Sequence, residues 1–177
     1  KHRSALGLFI QASGGNPDAA RLSGINARGL LVGVYTFCGF TAGLAVVRME
    51  HDGLKPENGP VIVSGATGGV GSIAIEILTR LGYEVVALTG KESQTDYLKG
   101  LGAKEVMLRA SLDLAKIKPL DRAPWAGAVE NLRGEVLAWM ASTMQQNGVI
   151  ASIGLAASMS LNTTVAPFIL RGASLLG

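Results

Sequence analysis

The sequence predicts a doubly wound α/β fold, and three observations carry that expectation. Short apolar runs alternate with helical segments from about residue 61 onward, the pattern of βαβ units around a parallel sheet. A glycine-rich stretch, Gly65 to Gly71, lies between the first of these runs and the most regular amphipathic segment. Of the 177 residues, 48% are apolar and 16% charged, enough to bury a core and too apolar for a disordered chain.

Taken in order, residues 1–27 mix Gly, Ser, Asn and Pro without sustained periodicity, which favours loops and one short helix. Leu30 to Val47 is uncharged and bracketed by Arg28 and Arg48, the length of a minimal membrane span. Gly33, Gly39 and Gly43, with Thr36 and Thr41, interrupt it, so two short buried helices meeting near Gly39 are expected instead. Residues 1–53 then form an N-terminal helical segment packed on the core, and residues 54–177 the nucleotide-binding domain.

Within that domain six strands are expected at Val61–Ser64, Glu84–Leu88, Glu105–Leu108, Gly127–Val129, Val149–Ile153 and Ala173–Leu176. Right-handed crossovers give them the order 3-2-1-4-5-6. Val70, Ile73, Ala74, Ile77, Leu78 and Leu81 recur at helical spacing, with Gly82 as the stop. Further helices are expected from Gln94 to Leu101 and from Glu135 to Gln146, ending at Gly102 and Gly148.

Charge and composition exclude several classes. Sixteen basic and 13 acidic residues give a net charge of +3, without the basic runs that track a phosphate backbone, so nucleic acid is not an expected partner. One cysteine, Cys38, forms no internal disulfide, and His2 and His51 make no metal constellation. No signal peptide is legible, so the cytoplasm is expected and a membrane partner is not. A chain that starts at Lys1 and stops at Gly177 after an apolar run is expected to be a fragment.

The chemistry is concentrated in Val61 to Ser72, VIVSGATGGVGS. A buried strand, a glycine turn and a helix start follow in the order of a dinucleotide fingerprint. Gly65 permits the sharp turn. Gly68 and Gly69 clear space for a diphosphate, and Gly71 lets the helix pack closely. Thr67 adds a hydroxyl, and the helix start at Val70 offers free N–H groups and a positive dipole end. An ordinary glycine-rich turn is the bland alternative, and the flanking strand and helix count against it.

Which dinucleotide fits is decided after the second strand, where a carboxylate would bind a ribose 2′-hydroxyl. This chain reads Leu88-Thr89-Gly90-Lys91. A 2′-phosphate suits Lys91, the Thr89 hydroxyl and the Gly90 amide, so NADPH is the expected cofactor. The alternative is a solvated lysine beside Glu92. A short-chain dehydrogenase would need Tyr and Lys four residues apart, but Tyr35, Tyr83 and Tyr97 are followed at that distance by Gly39, Ala87 and Leu101.

The segments SGATGGVGSIAIEILTRLGYEVVALTGKES, YLKGLGA, WAGAVE, IGLA and TTVAPFILR resemble, in order and spacing, the zinc-independent, quinone-oxidoreductase-like branch of the medium-chain dehydrogenases and reductases. The likeness runs from about Ile25 to Gly177 and is greatest to the acrylyl-CoA reductase group. It implies a Rossmann domain holding NADPH through Thr67 to Val70 and Thr89 to Lys91, with apolar nicotinamide-side contacts at Leu155 and Ile169. It also implies metal-free hydride transfer to an enoyl thioester or quinone, and pairing into homodimers through the last strand.

The chain departs from that pattern at Glu105, where the family often has arginine. Further departures are Glu130 to Gly134, ENLRG, which lacks an Asp and Gly pair, and Thr36-Phe37-Cys38, where Phe37 would crowd the nicotinamide side. The family's substrate-binding barrel is not in the sequence. No residue qualifies as catalytic acid or base, so the catalytic residues stay unassigned and the chain alone is expected to be inactive. A non-catalytic nucleotide-binding or regulatory module, or a degenerate scaffold, are the competing readings.

Overall fold

The structure, a computed structural model, describes residues 26–154 and 162–177. The expected loops and short helix before residue 26, and Leu155, lie outside the described residues. Residues up to Cys38 and residues from Gly39 to Gly177 form two compact units.

The first described element is helix α1, Ala27–His51. Its start is set by Asn26, whose Oδ1 accepts the Gly29 N–H at 2.9 Å, an N-cap that satisfies one free donor of the first turn. The expectation of two short helices is corrected: the chain is helical without a break through Gly39. Glycine costs helix about 1 kcal/mol relative to alanine but keeps its N–H, so unlike proline it does not end one. Burial is corrected as well, since no residue from Arg28 to Thr41 is buried. In the second unit Ala42, Ala45, Val46 and Met49 are buried.

The second unit continues with β1, Val61–Ser64, and α2, Gly69–Arg80. Next come β2, Val85–Thr89, α3, Thr95–Gly100, and β3, Glu105–Leu108. The second half holds β4, Trp125–Glu130, α4, Glu135–Ser142, β5, Met144–Ser152, α5, Ala166–Arg171, and β6, Ser174–Leu176. One six-stranded sheet has the order β3-β2-β1-β4-β5-β6, parallel throughout, as expected from the sequence.

Strand alternation supplies two apolar layers. Val61, Val63, Val85, Ala87, Val129 and Ala151 face a core with Ala74, Ile75 and Leu78 of α2 and Val46 and Met49 of α1. Ile62, Val86, Leu88, Ala128 and Ile150 face the other way, against Val136, Leu137 and Met140 of α4. Strands buried on both sides read as continuous apolar runs, which is why they stood out.

One boundary moved substantially. Helix α4 ends at Ser142 and not near Gly148, because Ser142 and Thr143 turn their hydroxyls back onto the last carbonyls. Ser142 donates to Trp139 O at 2.8 Å, and Thr143 to Trp139 O and Met140 O at 3.0 Å. Side chains that bond nearby carbonyls compete with helix continuation. Met144 can then pair with Trp125 and open β5 early.

Candidate cofactor site at the strand ends

The strand order reverses between β1 and β4, and the carboxyl ends of these neighbours form the crevice where doubly wound sheets hold ligands. After β1 the chain turns at Gly65, with φ +58°. The turn is tight: Gly68 N–H bonds Gly65 O at 2.9 Å. A Cβ on Gly71 would lie 2.5 Å from Gly65 O, and one on Gly68 3.2 Å from the same atom. Helix and turn thus approach to a distance that only glycine at 71 permits. In the first turn of α2 the N–H groups of Gly69, Val70 and Gly71 have no intrahelical carbonyl to reach. A concave face of free donors at a positive helix end is what a diphosphate requires, and Thr67 is half-buried beside it. The residues present fit a dinucleotide.

At the end of β2, Thr89 is buried and its Oγ1 accepts the Lys91 N–H at 3.1 Å. The hydroxyl proton stays available to an acceptor, as do the exposed Gly90 and Lys91. Lys91 makes none of the ion pairs found among the described residues. Sequence reading did not single out Arg109: register sets Thr89 opposite Leu108, so Arg109 follows β3 at the same end of the sheet. Glu105, which stood as a departure, begins β3 at the opposite end of the sheet.

The other side of the crevice rests on Glu130, also missed as a functional group. Its carboxylate is fully buried at the end of β4. Oε1 accepts the N–H groups of Leu132 and Arg133 and the Ser64 hydroxyl at 3.3 Å. Oε2 accepts the Ser152 hydroxyl at 3.2 Å. Asn131 adds a bond from Nδ2 to Ser64 O at 2.7 Å. One carboxylate therefore ties together the ends of β1, β4 and β5. Arg133 sits at φ +62°, its Nε donating to Gly154 O at 2.7 Å. The only available signal was the type of residue, a carboxylate closing an apolar strand.

A cavity of about 280 Å³ opens at the ends of β5 and β6, lined by Thr41, Leu44, Arg48, Arg133, Ile153 and Leu176 among others. Of the expected nicotinamide-side contacts, Ile169 lies on α5 with its side chain largely exposed and does not line this cavity. Phe37 is also exposed. Among the described residues no group of three or more His, Cys, Asp or Glu could hold a metal ion.

The family profile of zinc-binding dehydrogenases matches residues 69–177, and the chain belongs to that family. YhfP of Bacillus subtilis, which carries the name of a quinone oxidoreductase, is 49% identical over 144 residues, 81% of this chain and 44% of that protein. Acrylyl-CoA reductase AcuI of Ruegeria pomeroyi is 47% identical over 139 residues, 78% of this chain and 42% of its own. The chain thus spans less than half the length of these relatives. The structure of YhfP with NAD bound superposes with a TM-score of 0.79, covering 81% of this chain and 44% of that one at 49% identity. Escherichia coli YhdH with bound NADPH gives 0.76 at 46% identity, covering 79% and 43%.

A second likeness is confined to the N-terminal residues. The profile of the branched-chain amino acid transport system permease component matches residues 1–49. Ribose import permease protein RbsC of Escherichia coli is 50% identical over 44 residues, 25% of this chain and 14% of that protein.

Proposed function

We propose that residues 54–177 are the NADPH-binding half of a reductase that transfers hydride to an activated alkene, an enoyl thioester such as acrylyl-CoA, or to a quinone. The observation that carries this reading is the pairing of a diphosphate cradle at Gly65 to Gly71 with a strand end, Thr89-Gly90-Lys91, that offers donors and no carboxylate. The names of the relatives supply the substrate class: acrylyl-CoA for one and quinone for another. Their structures divide on the 2′-phosphate, one holding NAD and the other NADPH. The residues of this chain favour the phosphate, with Lys91 and Arg109 as its cationic partners.

Bound NADPH supplies the hydride. The chain's own part is to hold the diphosphate on the N–H groups of Gly69, Val70 and Gly71, with Thr67 adding a hydroxyl. Glu130 keeps the crevice rigid, and Ile169 and Leu155 are proposed on the nicotinamide side. We assign no catalytic acid or base. The substrate must be oriented from the opposite side of the crevice, a contribution of several kcal/mol to a barrier, so the chain alone is expected to bind and not to turn over. A cytoplasmic setting and pairing through β6, a short half-exposed edge strand, belong to the same proposal. RbsC shares only 14% of its length with this chain, so we propose no transport activity.

The test is calorimetric titration. NADPH should bind the chain, and Lys91→Ala should weaken it by roughly 1 to 3 kcal/mol while leaving NADH nearly unchanged. Equal losses for the two cofactors would remove Lys91 as the reader of the 2′-phosphate. Sustained NADPH oxidation with acrylyl-CoA or a quinone would show that the chain holds a complete active site.

A further inference from the structure

The cavity at the ends of β5 and β6 has walls drawn wholly from the unit that begins at Gly39. Leu44, Ala151, Ile153 and Leu176 make it largely apolar, and its charged side chains are two arginines, Arg48 and Arg133. Arg48 is engaged by the fold, since its Nη1 donates to Gly177 O. Arg133 is held differently, by its backbone N–H on Glu130 Oε1 and by its Nε on Gly154 O at 2.7 Å. Both anchors leave Nη1 and Nη2 uninvolved. The side chain is half-buried and forms none of the ion pairs found among the described residues. Glu130 does not neutralise it by contact, because that carboxylate meets the backbone of Arg133 and turns its oxygens to Ser64, Leu132 and Ser152. Among the described residues, a guanidinium charge therefore stands at an apolar cavity without a counter-ion.

In a doubly wound sheet each half takes one mononucleotide, and the diphosphate spans the point where the strand order reverses. Thr89 to Lys91 belong to the half with β1, β2 and β3. On the cofactor reading given above, the adenosine side lies there and the nicotinamide lies over β4, β5 and β6, the half in which the cavity opens. Resting on that reading, we propose that Arg133 makes the site discriminate between the two redox states of the nicotinamide, accepting the neutral reduced ring and disfavouring the positively charged oxidised one. The two forms differ by a hydride, and so by a single charge on the ring. Repulsion between like charges grows where apolar walls keep water away. A fixed cation there speeds the departure of NADP+ once its hydride has been given up, and keeps the site open to NADPH when both are present. Arg133 lies in Glu130 to Gly134, where this chain departs from the family's pattern, so the effect belongs to this chain and is not carried over from its relatives.

The experiment is calorimetric titration of the full 177-residue chain with NADPH, with NADP+ and with adenosine 2′,5′-bisphosphate, which carries the adenosine side alone. NADPH should bind about tenfold more tightly than NADP+, the order of repulsion between like charges in partial contact with water. Arg133→Gln should remove that preference by tightening NADP+ about tenfold. Its affinity for the bisphosphate should match the parent's, which shows that the fold and the adenosine side are intact. Arg133→Lys, which keeps the charge, should retain most of the preference. Equal affinity of the parent chain for NADPH and NADP+, or a preference that survives in Arg133→Gln, overturns the proposal. So does an equal loss of both forms in Arg133→Gln, which would make Arg133 a phosphate ligand or a part of the turn's support. A chain that binds none of the three overturns the cofactor reading as well, whereas binding of the bisphosphate without any redox preference overturns this inference alone.

Discussion

The turns after β1 and β4 are neighbours at the point where the sheet reverses, and they are built from opposite materials. After β1 the backbone turns on Gly65 and closes on Gly71, so its geometry depends on absent side chains. After β4 the chain turns through Arg133 at φ +62° and Gly134 at φ +66°, and what holds it is a side chain, the buried Glu130 carboxylate. Gly154 packs against the second of these turns: a Cβ there would lie 2.1 Å from Asn131 O. The glycine turn leaves donors free for a ligand, while the carboxylate turn consumes its donors internally. The first is the proposed binding surface and the second is a brace.

The largest effect that could break this contrast is expected at the brace. Glu130→Ala leaves the Leu132 and Arg133 N–H groups without an acceptor, at an expected cost of about 3 to 4 kcal/mol in denaturant unfolding. Glu130→Gln retains a carbonyl oxygen for those donors and should cost less than half as much. If the two variants lose the same stability, negative charge and not accepting geometry holds the turn.

At the glycine turn, Gly71→Val forces a branched side chain against Gly65 O, where even a Cβ would stand at 2.5 Å. A loss of about 3 kcal/mol in stability is expected. NADPH binding should vanish with it, whereas Glu130→Gln should still bind. A Gly71→Val chain that binds NADPH normally would mean that the cradle lies elsewhere.

A smaller effect concerns the junction between α1 and the sheet. Tyr83 donates its hydroxyl to Glu50 Oε1 at 3.1 Å and to Leu54 O at 3.2 Å. Burial, then the bond to Glu50 and its negative charge, push the phenol up to about 12 from an ordinary 10.0. The folded state therefore favours the neutral phenol. Its contribution is whole below pH 10 and is lost as pH rises from there through about 12. Tyr83→Phe should cost about 1 kcal/mol at neutral pH and should flatten the alkaline loss of stability in that window. An unchanged alkaline profile would show that Tyr83 does not report on this junction.

The smallest effect should have the opposite sign. Arg133→Gly relieves a left-handed backbone at the cost of a freer unfolded chain and of the bond to Gly154 O, for a net gain of about 0.5 kcal/mol. A loss above about 1 kcal/mol would place the Arg133 bond with Glu130 as part of the brace.

The sequence by itself determined the fold class, the strand order and the place of the glycine turn, because each rests on neighbours in the chain. Val61–Ser64, the glycines after it and the apolar stripe of α2 lie within 20 residues, and apolar periodicity and backbone freedom are properties of such short stretches. Only the tertiary structure decided the rest. Glu130 reads as a misplaced acid until Ser64, 66 residues earlier, and Ser152, 22 later, are brought to its oxygens. Arg109 reaches the end of β2 only through the register of β3. The glycines of α1 look like breaks in the sequence, yet nothing in the fold interrupts the helix's own ladder of bonds. Local signals report what a segment can do alone, and a buried charge or a strand register exists only once distant segments have met.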